Sequence, residues 1–76
     1  MNPIETARFW RQQNAEHSNS GVVLIWEGKV YSWKNCLRDA QHERPGAIAV
    51  DVSDSVFIAQ GGNDYDGAKG WIVLKK

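Results

Sequence analysis

The sequence predicts an α+β domain: an N-terminal helix packed on a five-stranded antiparallel meander, with a curl toward a small barrel left open. Three observations carry that prediction. The first residues hold helix-start chemistry. After Gly21 the apolar pattern changes from a helical spacing to short apolar runs and strict alternation. Groups rich in Gly, Asn, Asp and Ser separate those runs, as turns between successive strands require.

The helix is expected from Pro3 to about Glu16. Asn2 can cap it, Pro3 suits the first helical position, and Glu5 stands where a capping box places a carboxylate. The polar group from His17 to Gly21 should stop it. At about 100° per residue, Ile4, Ala7, Trp10 and Ala15 fall on one side, the stripe that packs on a sheet, while Phe9 projects from the opposite side. Val22 to Trp26 and Val30 to Trp33 read as a hairpin with Gly28 in its turn. The first of these strands is apolar on both faces and should be covered twice, whereas the second, interrupted by Lys29 and Ser32, belongs nearer an edge.

From Lys34 to Arg44 the chain is highly charged, with Leu37 its one large aliphatic residue, which allows a turn of helix near Asn35 to Asp39 before the break at Pro45 and Gly46. Ala47 to Val52 alternates as a half-buried strand, with Ile48, Val50 and Val52 facing one way. Ser53 to Ser55 turns the chain into a fourth strand, Val56 to Gln60. A glycine-rich loop then leads to a fifth, Trp71 to Leu74. A strand at either edge of such a sheet can pair with another copy, so a homo-oligomer, most simply a dimer, is expected.

Seventy-six residues form a single domain, 1–76, with a thin core. Nine basic and nine acidic residues give a formal net charge of zero, so charge argues neither for a basic nucleic-acid binder nor for an acidic DNA mimic. One cysteine excludes an intramolecular disulfide and thiolate-rich zinc sites. No apolar run reaches the roughly 18 residues of a membrane helix, and the expected setting is cytoplasmic, with no membrane partner. Four Trp, two Tyr and two Phe are many large rings for this length. They complete a core or furnish a contact surface, where Trp and Tyr are enriched.

The residues that could carry chemistry are few. Asn63, Asp64 and Asp66 share a loop whose alternate oxygens suit a hard cation, but the remaining ligands of a calcium loop are missing and turn-forming hydrogen bonds explain the same residues. His42, Glu43 and Arg44, with Arg38, Asp39 and His17, could support acid–base chemistry, yet nothing completes a catalytic set. Cys36 is expected to be a small buried residue and not a nucleophile. Gly61 and Gly62 do not belong to a phosphate-loop pattern. Lys29, Lys34, Arg38 and Arg44 flank Tyr31 and Trp33 as in a nucleic-acid groove, but Glu27, Asp39 and Glu43 cancel much of the field. No catalytic residue, metal or cofactor is expected.

Three stretches carry a resemblance: GVVLIWEGKVYSWKNCLRD (Gly21 to Asp39), HERPGAIAVD (His42 to Asp51) and GGNDYDGAKGW (Gly61 to Trp71). In them the chain resembles the ArdR-type antirestriction proteins of plasmids and other mobile elements, departing where Ala40 follows Asp39 in place of a proline. The resemblance implies a role in helping incoming DNA evade host restriction, or in regulating the genes that do so. Direct DNA mimicry fits poorly with zero net charge.

The functional expectation is therefore a non-enzymatic interaction protein of a mobile genetic element that binds an unidentified protein. Phe9, Tyr31 and Trp33 are the expected contact residues, with Arg38 and Arg44 at the polar rim. Two alternatives remain: a small dimeric DNA-binding regulator, and a ligand- or metal-binding protein with a site at a subunit boundary using Asp64, Asp66 and His42.

Overall fold

The computed structural model describes residues 2–37 and 39–75, and in them one helix lies on a five-stranded, wholly antiparallel sheet. The helix α1 spans Pro3–Gln13; the strands are β1 (Val22–Trp26), β2 (Lys29–Lys34), β3 (Ile48–Val50), β4 (Val56–Gln60) and β5 (Gly70–Lys75). Their order is β2-β1-β3-β4-β5 and the sheet is open, not closed into a barrel. The order departs from a strict meander in one place. Because β1 pairs with both β2 and β3, the chain must cross past β1 after the first hairpin, and β2 becomes an edge. That topology is why Val22, Val23, Leu24 and Ile25 are all buried, as a strand apolar on both faces requires.

The start of α1 follows the capping-box expectation. Asn2 accepts the Glu5 backbone N–H at 2.9 Å, and the Glu5 carboxylate accepts the Asn2 N–H at 3.4 Å. The end differs: α1 stops at Gln13, three residues short of the expected Glu16. Asn14 leaves the helical conformation, its amide group donates to the Trp10 carbonyl at 2.8 Å, and residues Ala15–His17 wind into a separate 3₁₀ turn. Ala15 is consequently exposed and does not extend the packing stripe.

Two other expected elements shift. The helical turn lies at Ala40–His42, after an extended Asp39, and not at Asn35 to Asp39, where Asn35 and Cys36 form a bend. Cys36 is exposed there, contrary to its expected burial. β3 ends at Val50, and Val52 lies outside it and exposed, because the Asp51 carboxylate turns the chain by accepting the N–H groups of Ser53 and Ser55, each at 2.9 Å.

Two thin cores result, one on each side of the sheet. On the helix side Ala7 meets Val23, Ile25, Val50 and Val56, with Ile4, Trp10, Val30, Trp33 and Ile48 packed around them. The other side carries no α-helix among the described residues. Loops cover it, and alanines make the close approach possible: Ala40, Ala47, Ala59 and Ala68 form one cluster against Trp26 and Trp71, beside a second built on Val22, Leu24 and Ala49 with Leu37 and Phe57.

Arg11 ties the segment after the helix to the sheet. The residue is 8% exposed, and its guanidinium donates to the carbonyls of His17 (2.6 Å), Ser20 (2.8 Å), Gly21 (2.9 Å) and Val50 (3.3 Å). Burial pulls its pKa down, and Asp51 and Asp54 oppose that pull. The segment so anchored places His17 between two indoles, 5.9 Å from Trp10 and 3.9 Å from Trp33 by ring centroids. Gly21 is required at the entry to β1. Its φ of 71° suits glycine, and a Cβ there would collide with the Lys34 carbonyl oxygen and the Trp33 ring.

Candidate functional site

The loop-covered side of the sheet holds a groove of about 570 Å³, lined by the end of the first hairpin (Trp26, Lys29, Tyr31), by Gln41 to Arg44, and by Asp64, Tyr65 and Gly67 of the glycine-rich loop. Three segments distant in sequence therefore build it. The first hairpin turns on Glu27 and Gly28, with φ of 51° and 79°, a two-residue turn with both central residues left-handed. This brings Trp26 opposite Lys29.

Glu43 forms the floor. Its side chain is 6% exposed and its carboxylate takes two partners, the Tyr31 hydroxyl, which donates to it, and the Lys34 ammonium at 2.7 Å. Its backbone carbonyl accepts the Ala68 N–H at 2.8 Å. One residue thus joins β2, the 3₁₀ turn and the glycine-rich loop. Partial burial and the adjoining carboxylate push the Tyr31 phenol well above its ordinary pKa, while Arg44 acts weakly in the other direction.

The walls are aromatic and cationic. The Arg44 guanidinium lies 4.8 Å from the Trp26 ring centroid, a cation–π contact. Tyr65, also lining the groove, is 96% exposed, the barest large hydrophobic residue of those described. Its loop is nevertheless well defined by hydrogen bonds. Asn63 Oδ1 accepts the N–H groups of Tyr65 (2.9 Å) and Asp66 (2.7 Å), and Asn63 and Gly67 exchange backbone bonds at 3.2 and 2.8 Å. Gly67, at φ 84°, lies so close to Gln41 that a Cβ would strike the Gln41 carbonyl oxygen. Neither Lys29 nor Arg44 has an ion-pair partner among the described residues.

The expected contact residues separate. Tyr31 and Arg44 line this groove. Trp33 is half-buried: its indole N–H donates to the Ser20 carbonyl at 2.9 Å, its ring stacks on His17, and it borders a shallower groove of about 510 Å³ with Lys34, Asn35 and His42. Its role is therefore largely internal. Phe9 is 57% exposed on α1, and lies apart from the residues lining the groove. Arg38 lies outside the described residues.

His42 and Asp64 both line the groove of a single chain, whereas Asp66 belongs to a neighbouring hollow and accepts the Asn63 amide at 3.3 Å. Among the described residues no three His, Cys, Asp or Glu side chains gather as metal ligands. Sequence reasoning passed over Trp26 and Gln41, and took Tyr65 only as part of a cation-like loop. The available signal was a lone aromatic ring among Gly, Asn and Asp, residues that provide nothing to bury it against.

Comparison with known proteins finds no matching family model, no matching curated protein and no matching solved structure. The functional reading rests on geometry and on the sequence.

Proposed function

We propose that this protein is a small non-enzymatic interaction module that holds a segment of a protein partner in the groove between Arg44 and Tyr65. The observation that carries the reading is Tyr65: a large ring 96% exposed on a loop whose backbone is held by hydrogen bonds to Asn63. An aromatic ring presented to solvent on a hydrogen-bonded loop gains apolar burial on binding while the loop backbone has little freedom left to lose. The Arg44–Trp26 stack in the same groove supplies a flat cationic platform, and arginine, tyrosine and tryptophan are the side chains that dominate interface energetics.

The groove's polar groups support binding over catalysis. Glu43 is already committed to Tyr31 and Lys34, so it is not free to act as a base. His42 has no hydrogen-bonded carboxylate among the described residues. The resemblance to ArdR-type proteins supplies a biological setting, a cytoplasmic contact made on behalf of a mobile genetic element that faces host restriction.

Affinity capture from a lysate of the cell that carries the gene tests this reading. A discrete partner retained by the parent protein should be lost with Tyr65→Ala and with Arg44→Glu, and kept with Gln13→Ala on the exposed end of α1. Equal retention by all the variants would remove the groove from consideration. A second reading, a small DNA-binding regulator, is favoured by Lys29 and Arg44, which have no ion-pair partner among the described residues, beside Tyr31 and Trp26. A mobility shift on the element's own promoter that weakens steeply with added salt would establish it instead.

A further inference from the structure

The two edges of the sheet are treated differently by the rest of the chain. β2 is guarded: α1 packs over it, Trp33 is stacked on His17, Tyr31 is tied to Glu43, and a register shift opposite Leu24 and Ile25 interrupts its ladder. β5 is approached by the 3₁₀ turn Ala40–His42 but is not paired on both sides among the described residues. It runs for six residues, about 20 Å at a strand's rise, and no strand among the described residues pairs with its outer edge. Three consecutive residues, Ile72, Val73 and Leu74, are 46%, 47% and 56% exposed, so both faces of this edge are apolar. Its one irregularity lies at the far end, where Val56 pairs with Lys75. An edge of this kind is a template for another strand.

The charge around it selects the strand. From Gly67 to Lys76 there is no acidic residue, and Lys69, Lys75 and Lys76 bracket the apolar centre. In a two-fold antiparallel pairing of β5 with a second copy centred on Ile72, position 75 of one chain falls opposite position 69 of the other, and both positions are lysine, which sets like charges together at both ends of the pair. A foreign strand with an apolar centre and acidic ends reverses that sign. We propose that the outer edge of β5 binds an extended peptide of this kind, apolar in the middle and carboxylate-bearing at both ends, as a sixth antiparallel strand. Main-chain hydrogen bonds along the edge would supply affinity, and the lysines would supply selectivity for acidic ends. The proposal is independent of the groove beside Tyr65, which lies at the loops and the first hairpin.

The test uses two blocked peptides, Asp-Glu-Val-Thr-Val-Glu-Asp and the same sequence with lysine at each acidic position, titrated into isotopically labelled protein. The acidic peptide should shift and protect the amides of residues 70–75, bind at least about tenfold more tightly than the lysine peptide, and weaken as salt is added. Lys69→Glu, at an exposed side chain whose backbone bond to Gln60 is retained, should lower the affinity several-fold with an unchanged melting transition. Equal binding of the two peptides, no shift in β5 up to about 1 mM peptide, or shifts confined to the Tyr65 groove would overturn the proposal. So would sedimentation of the free protein as a dimer with its β5 amides already protected, since the occupant would then be a second copy.

Discussion

Replacing Glu43 by Gln should loosen the groove at its floor. The carboxylate is almost fully buried and makes two charge-assisted contacts, with the Tyr31 hydroxyl and with the Lys34 ammonium at 2.7 Å. Glutamine keeps the shape and can still accept from Tyr31, but its amide nitrogen turns a donor toward a cation that is itself only 28% exposed. A hydrogen bond to a charged group contributes about 1.5–3 kcal/mol, and partial exposure of Lys34 and Tyr31 places this loss near the lower end, about 2 kcal/mol. In a domain of this size each kcal/mol moves the midpoint by about 4–8 °C, so Glu43→Gln should melt about 8–16 °C below the parent. A second readout isolates the contact. The carboxylate helps hold the Tyr31 proton, so ionisation followed by absorbance near 295 nm should begin at lower pH in the variant. The sign for the parent follows from the raised phenol pKa: its contribution to stability is complete below about pH 10, where the unfolded chain's tyrosine titrates, and is lost as pH rises through the higher folded value. A variant within about 0.5 kcal/mol of the parent, with Tyr31 ionising unchanged, would refute this account of the floor.

Arg11→Met removes the donor to four carbonyls while keeping the length of the side chain. A loss of at least about 3 kcal/mol is expected, against a total of about 4–11 kcal/mol for a chain of this length, and urea denaturation should find the variant marginal where Arg11→Lys retains part of the stability. Glu27→Asn should raise stability by about 0.5–1 kcal/mol in the same assay, because asparagine tolerates the left-handed conformation that Glu27 adopts in the hairpin turn; an unchanged or lower midpoint would contradict that reading of the turn.

What could be read from the sequence was what neighbouring residues decide. Asn2, Pro3 and Glu5 define the helix start within one turn of chain, and the unbroken apolar run of β1 and the polar breaks of β2 mark which strand is buried and which lies at an edge. Asn63 was legible as a turn former because its acceptors and donors lie two and three residues away. The rest depends on partners far along the chain. The helix stops at Gln13 where Asn14 bonds back and Arg11 gathers carbonyls as far as Val50, a contact that no local pattern announces. The groove joins residues 26–31, 41–44 and 64–67, and the bond between Tyr31 and Glu43 that closes it follows from the crossing after the first hairpin. Charge interleaving showed that Glu27, Asp39 and Glu43 offset the basic residues from Lys29 to Arg44, but not which ones pair: folding commits Lys34 to Glu43 and leaves Lys29 and Arg44 without an ion-pair partner among the described residues.

Site-specific photocrosslinking in cells tests the central claim most directly. A benzophenone amino acid placed at Tyr65 should yield one discrete protein adduct, abolished by a second substitution, Arg44→Glu, while the same group at exposed Val52 on the far turn should yield none. No adduct from Tyr65, or the same adducts from both positions, would contradict the assignment of this groove as the partner site.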